Sequence, residues 1–329
     1  MCGFSLAGWK PSFAIEVNHD RCRTLRLNFP QCKVLEGPIQ HVTLADYPPG
    51  LLPLYSITFP CDHYTLAANI HGTMTGDALY LEALREIVLH FPEMIILENV
   101  LGLRKFKRVM ETFQSLPLYY CTECVLYGEE FSLQRKARVF LILHRQPFLF
   151  DDIAAVQLPR PGYRLADYLE RDEPLASIPG YVYTRLDGGY RDLPKIYDPQ
   201  QEHPVNLFTN YRRDRSLFLV KDPRAPRGVR PFTVRECANL HGFPREYRFV
   251  GSLGESYDMV IDSVMPTMAY ALAQAAHRYF EAIPRLAPVP KPRGYREIPS
   301  SRHEEIEEAL RILHEPEPLP IGLEQLVLW

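Results

Sequence analysis

"GDALYLEALREIVLHFPEMIILENV", residues Gly76 to Val100, carries two patterns in succession. Leu79, Leu81, Leu84, Ile87 and Val88 recur at helical spacing, which predicts an amphipathic helix over 76–91. Residues 93–100 then form a near-continuous apolar run, the pattern of a strand buried on both faces. A helix feeding such a strand is the unit of an α/β fold.

The same alternation extends outward. "FAIEVN" (Phe13 to Asn18) reads as a strand and "HDRCRTLRLNF" as the helix after it; "YSITF" (Tyr55 to Phe59) is the next strand. Downstream, "LRKFKRVMETFQSL" reads as a helix, and "YYCTECVLY" and "ARVFLIL" (Ala137 to Leu143) as strands. These segments predict a mostly parallel sheet with both faces covered, whose ligands lie at the carboxyl ends of its strands. From about residue 146 to 229 regular helices vanish, and proline, glycine, aromatic and arginine residues interleave, so a smaller irregular domain is expected over 147–229. Helical order returns after residue 230. Thr233 and Glu236 form a capping box for "VRECANLHGF", Gly242 and Pro244 end it, and Pro266 to Ile283 is a second strong helix. The expected organisation is 1–146, 147–229, 230–283, and a Pro-rich tether with a charged helix and tail over 284–329.

The chain has 329 residues, 46% apolar and 23% charged, with net charge -3, so no global basic field draws it to nucleic acid. Any such surface is local. Asn210 to Arg230 carries seven Lys or Arg against Asp214 and Asp222, a local net of +5, consistent with a solvated loop surface or with a phosphate-contacting one. Seven irregularly spaced cysteines argue against a disulfide framework and for a reducing compartment. With no apolar run of about 18 residues and no basic-then-apolar leader, a cytoplasmic protein away from the membrane is expected.

Cys61 follows Pro60 at the end of "YSITF", where active sites of α/β sheets collect. As a metal ligand it lacks partners: His63 is poorly spaced, and Cys121-x-x-Cys124 has no second pair, so no metal is expected. As a nucleophile it needs an activating environment and a group to stabilise charge on the substrate. Glu98 and Asn99 end the strand "MIIL", and Arg138 opens "VFLIL" with Gln134 and Lys136 on the loop before it.

Pro60-Cys61, Glu98-Asn99-Val100, Gln134-x-Lys136-x-Arg138, Arg235-Glu236-Cys237 with Gly242-Phe243-Pro244, and Val264-Met265-Pro266, in this order, resemble the cytosine-5 DNA methyltransferases over residues 3 to about 283. The resemblance implies a Rossmann-like, S-adenosylmethionine-dependent methyltransferase sheet with a smaller, irregular, β-rich target recognition domain. It implies methyl transfer to C5 of a flipped-out cytosine in double-stranded DNA through a covalent bond from Cys61 to C6. Glu98 matches the acid that meets ring N3, and Arg138 the arginine that holds the nucleophile region and the base carbonyl. Asn99 would shape the turn holding Glu98, while Lys136 and Gln134 complete the catalytic set. Glu16 matches the carboxylate on the cofactor ribose, with Val17, Pro38, Ile39, Pro60, Asp262 and Ser263 around the cofactor. Arg212, Arg213, Arg215, Arg224, Arg227 and Arg235 are the expected DNA contacts.

The sequence also departs from the family. The first strand and its glycine-rich cofactor loop, expected ahead of "GFSLAGWKPSFAIE", are absent; Pro38 stands where an aspartate is usual, and Lys136 where arginine is usual. The chain therefore reads as an enzyme whose start lies upstream, as one completed by a second polypeptide that supplies the strand, or as a cofactor-site-degenerate homologue acting as a DNA-binding or partner subunit. A cytosine-5 transfer RNA methyltransferase is the remaining alternative.

Overall fold

The computed structural model describes residues 1–47, 53–60, 79–153, 164–170, 178–207, 211 and 214–283, all within the unit Met1–Pro288. The readings made on the other residues, among them Cys61, His63, Arg212, Arg213 and the 284–329 tether and tail, lie outside the described residues.

β1 (Phe13–Glu16) and β2 (Lys33–Glu36) pair in parallel, and α2 (His19–Asn28) crosses between them. Asn18 starts that helix by accepting the Arg21 N–H on its side chain at 2.9 Å. β3 (Leu54–Thr58), β4 (Met94–Val100), β5 (Tyr120–Tyr127) and β6 (Ala137–His144) form a second sheet in the order β3-β4-β6-β5. In β4, Met94 and Ile96 face one apolar cluster and Ile95 and Leu97 the other, so the run shows no alternation of polarity. The first cluster takes Phe4 from α1 (Cys2–Leu6) and Met268 and Leu272 from α8 (Pro266–Ala282). The second takes Ile87 from α3 (Tyr80–His90) and Val109 and Phe113 from α4 (Lys107–Gln114). Each such fully buried side chain contributes roughly 1.5–3 kcal/mol.

Four expectations are corrected. β3 pairs with β4 in parallel, but β4–β6 and β6–β5 are antiparallel, so the sheet is mixed. β5 and β6 are joined by residues 128–136 without an intervening α-helix, too short for the crossover a parallel neighbour needs. "LRKFKRVMETFQSL" breaks into a 3₁₀ turn, Leu101–Lys105, and α4. The helix expected over 76–91 is described from Tyr80, and its face is turned: Leu81 and Val88 are exposed while Ala83, Glu86 and Ile87 are buried. Glu86 claims the inner face because the Tyr47 hydroxyl donates to it and the Arg85 guanidinium pairs with it at 3.0 Å. Finally, the irregular region does contain a helix, α5 (Gly180–Leu186).

That region also holds β7 (Lys195–Tyr197), β8 (Phe218–Lys221) and β9 (Val229–Pro231), a three-stranded sheet with β8 central. Tyr197, Tyr211, Val220 and Phe232 share an apolar cluster with Cys237 and Leu240 of α6 (Val234–His241) and Tyr257 and Val260 of α7 (Leu253–Asp262). The Thr233–Glu236 capping box forms, and Gly242 ends α6 at φ 82°.

The two parallel pieces, β2-β1 and β3-β4, share no ladder among the described residues. Rings bridge them at their amino ends: Phe13 to Tyr47 at 4.7 Å between centroids, Tyr47 to His90 at 4.0 Å, and His90 to Tyr55 at 5.4 Å. β1 and β3 are each terminal in their sheets, so each keeps one edge unpaired among the described residues.

Candidate active site

Three strand ends converge. The parallel register sets Thr58 of β3 against Glu98 of β4, and the antiparallel register sets Val100 against Arg138 of β6. Arg138 Nε meets Glu98 Oε1 at 2.8 Å, with both side chains largely buried. Asn99 Nδ2 donates to the Phe59 carbonyl at 3.2 Å, and Asn99 Oδ1 accepts the Val100 N–H at 2.8 Å. Asn99 thus ties the end of β4 beside Glu98 to the Phe59 backbone, two residues before Cys61 in sequence.

Burial raises the Glu98 pKa above the usual carboxylate range, and the nearby Arg138 and Lys136 charges offset this only in part. The result is a carboxyl inclined to hold its proton beside a guanidinium.

Lys136 and Gln134 have architectural contacts. Lys136 Nζ donates to the carbonyls of Ile261 at 2.6 Å and Ser263 at 2.5 Å, at the carboxyl end of α7, where a helix dipole favours a cation. Gln134 is fully buried and donates to the Leu207 carbonyl at 2.9 Å, joining the 128–136 loop to the irregular region. The buried Ser132 hydroxyl donates to the Leu240 carbonyl at 2.6 Å, fixing the same loop to α6.

The expected cofactor residues form a chain of contacts from this loop. Beside Ser263, Asp262 pairs with Arg21 at 3.3 Å, and Arg21 lies on the first turn of α2 below Asn18. The Asn18 N–H donates to Glu16 Oε1 at 2.9 Å; Glu16 Oε2 has no hydrogen-bond partner among the described residues. Pro38 and Ile39 follow β2 in a 3₁₀ turn held by Arg85, whose Nη2 donates to the Ile39 carbonyl at 2.5 Å. Val17 is exposed, and Pro60 follows the tethered Phe59. Glu16, with an open acceptor at the carboxyl end of β1, has the chemistry to hold a ribose hydroxyl of a nucleoside cofactor. No described residue cradles the methionine end. Among the described residues no group of three or more His, Cys, Asp or Glu suits a metal ion.

The four described arginines expected on DNA all have partners within the chain. Arg224 holds Asp222 at 2.8 Å and the Glu170 carbonyl at 2.9 Å. Arg227 holds both Asp187 oxygens. Arg235 donates to the carbonyls of Pro244 and Tyr247, and Arg215 lies over the Tyr257 ring at 5.7 Å. Arg230, in the same basic run, is buried between Asp222 and Glu236, each at 2.7 Å.

Sequence reasoning passed over two residues here, Arg21 and His241. Arg21 and Asp262 lie 241 positions apart, and no local pattern links them. His241 is fully buried. Its Nδ1 lies 2.8 Å from the Cys237 carbonyl and so carries the proton, leaving Nε2 an acceptor with no hydrogen-bond partner among the described residues. Burial first, then the Lys136 and Arg138 charges, pushes its pKa well down and keeps the ring neutral.

The sequence profile described as C-5 cytosine-specific DNA methylase matches residues 1–278. The chain belongs to that family. The methylase is 26% identical over 328 residues to the type II methyltransferase M.PspPI of Psychrobacter sp., covering 86% of this chain and 77% of that one. It is 25% identical to M.Eco47II of Escherichia coli, with 85% and 76% covered. Its fold matches the Entamoeba histolytica methyltransferase EhMeth with a TM-score of 0.65 at 15% identity, over 84% of this chain and 95% of that one. The S. pombe Dnmt2 methyltransferase gives 0.64 at 18%, over 84% and 94%. The methylase is thus a cytosine-C5 DNA methyltransferase with a Rossmann-like sheet, and its family uses S-adenosylmethionine. No helix of the described residues is long and apolar enough to cross a membrane.

Proposed function

We propose that this methylase acts on cytosine in double-stranded DNA through Cys61, Glu98 and Arg138. The observation that carries the assignment is the tether from Asn99 to Phe59, which supports placing Pro60 and the cysteine after it in sequence beside the Glu98–Arg138 pair. The Cys61 thiolate adds to C6, and the ring electrons move to C5 as Glu98 delivers its proton to N3. Arg138 holds Glu98 in place and faces the base carbonyl. S-adenosylmethionine supplies the methyl group that C5 takes up. Loss of the C5 proton to water, departure of the Cys61 thiolate and return of the N3 proton to the Glu98 carboxylate restore the ring. A base inside a duplex cannot reach these groups, so the target cytosine is flipped out.

Glu16, the Pro38-Ile39 turn, Asp262 and Ser263 hold the nucleoside half of the cofactor in this reading. The open edges of β1 and β3 support one further parallel strand between them, with a glycine-rich turn for the methionine end, supplied by a segment that no described residue provides, a second polypeptide included. Neighbouring strands lie about 4.8 Å apart, so one added strand needs β1 and β3 to stand about 10 Å apart. Residues 147–229 serve as the target recognition domain, with Arg212 and Arg213 on the phosphates. The enzyme works in the cytoplasm.

The test is transfer of a labelled methyl group to duplex DNA, followed by nucleoside digestion. Label in 5-methylcytosine is expected; label confined to transfer RNA, or to a position other than C5, overturns the assignment.

A further inference from the structure

The basic run from Asn210 to Arg230 was the obvious candidate for DNA reading, yet Arg224, Arg227 and Arg230 are held by carboxylates of the chain itself. A different element of the irregular region presents exposed polar side chains with no partner among the described residues. Residues 187–193 follow α5 as an exposed loop.

Two arginines pin this loop from beneath. Arg185 is buried: Nε donates to Ser216 Oγ at 2.6 Å, Nη1 to the Asp192 carbonyl at 2.8 Å, and Nη2 to Asp214 at 2.5 Å. Its guanidinium also lies under the Tyr190 ring at 4.4 Å. On the other side Arg227 grips the Asp187 carboxylate and lies over the Tyr183 ring at 5.4 Å. The backbone between is shaped for this path. Gly188 has φ 80°, and a Cβ on Gly189 would stand 2.7 Å from Thr184 Cγ2 and 2.9 Å from the Thr184 carbonyl oxygen. A buried arginine with five donors gives the loop one conformation before any ligand arrives, which lowers the cost of binding.

What this platform lifts outward is Tyr190, Arg191, Asp192 and Leu193. Tyr190 is 44% and Leu193 70% exposed. Arg191 is exposed and has no ion-pair or hydrogen-bond partner among the described residues. With Asp187 neutralised by Arg227, the loop tip carries one cation and one carboxylate. That near-zero charge is wrong for gripping phosphates, which needs clustered cations, and right for base edges: arginine donates to guanine O6 and N7, and a carboxylate accepts from cytosine N4. The exposed apolar side chains suit a thymine methyl or a base face.

We propose that the 187–193 loop is a base-reading element of this enzyme, with Arg191 donating to a guanine edge in the major groove and Tyr190 and Leu193 contacting the neighbouring pair. This rests on duplex DNA being the substrate.

The test is selection from a randomised duplex pool by the full chain, wild type and R191A, with sequencing of the bound fraction across a salt series. Wild type is expected to enrich a sequence, and R191A to lose about 5–150-fold discrimination at one base pair while keeping the others and the wild-type salt slope. R191K, which keeps a donor, restores part of that preference. An unchanged sequence preference in R191A, or a uniform loss with a shallower salt slope, overturns the proposal, since the first means no reading and the second a phosphate contact. Wild-type binding without enrichment overturns it too. No DNA binding by the wild type would instead sink the substrate assignment.

Discussion

Asn99 Nδ2 donates to the Phe59 carbonyl across the carboxyl ends of β4 and β3, at 3.2 Å. One buried amide therefore couples the residue beside Glu98 to the backbone just after β3, two residues before Cys61 in sequence. Asn99→Ala removes that buried hydrogen bond, a cost of about 0.5–1.5 kcal/mol. The expected outcome is a lower Tm by calorimetry and a drop in kcat larger than any change in DNA affinity, because that backbone loses its tether while the DNA-binding surface is untouched.

Glu98 is pushed toward its protonated form by burial. The protonated carboxyl is the acid, so turnover falls as pH rises through the raised pKa and is retained below it. Glu98→Gln keeps the hydrogen bonds but has no transferable proton. It should cut kcat by about 10²–10⁴ and abolish that limb of the pH–rate profile. A profile unchanged by the substitution would assign the limb to another group.

Lys136 clamps the 128–136 loop to the Ile261 and Ser263 carbonyls, next to Asp262 and its partner Arg21. Lys136→Met should therefore weaken S-adenosylmethionine binding and lower Tm together, measured by titration and scanning calorimetry. Lys136→Arg should recover part of both.

Asp222 carries two arginines, and its pKa is held well below the usual range, first by hydrogen bonds from Arg224 and then, against the opposing effect of burial, by Arg230. A depressed carboxylate stabilises the fold above its unfolded pKa, about 3.9, and that stability is lost as pH falls through the folded value. Asp222→Asn should cost roughly 3–5 kcal/mol at neutral pH by leaving Arg230 buried with one partner fewer, and should flatten the acid limb below about pH 4 in urea titrations.

Much of this site is legible in the sequence because strand ends are. Glu98, Asn99 and Arg138 close or open apolar runs whose pairing brings them together. The mixed sheet was missed where "YYCTECVLY" and "ARVFLIL" follow each other without a helical pattern between them, which is itself the sign of an antiparallel turn. The basic run was ambiguous for a physical reason: a list of charges does not say which way they face. Arg227 finds Asp187 at 40 positions' distance. Lys136 and Gln134 are tied to partners 125 and 73 positions away, so their architectural roles exist only in the folded chain.

The gap between β1 and β3 gives a further expectation. An apolar strand ending in a glycine-rich turn, fused ahead of Met1 or co-expressed as a separate chain, should raise both Tm and S-adenosylmethionine affinity. No gain in either arrangement would show that the edges of β1 and β3 accept no strand.

Covalent trapping tests the central assignment most directly. Duplex DNA carrying 5-fluorocytosine cannot lose its C5 substituent as a proton, so the bond from the nucleophile to C6 persists. Incubated with S-adenosylmethionine and such DNA, the enzyme, alone or with the strand-bearing segment proposed above, should give a denaturation-resistant adduct whose peptide mass maps to Cys61, absent in Cys61→Ala. An adduct that maps elsewhere, or that survives Cys61→Ala, would contradict the account.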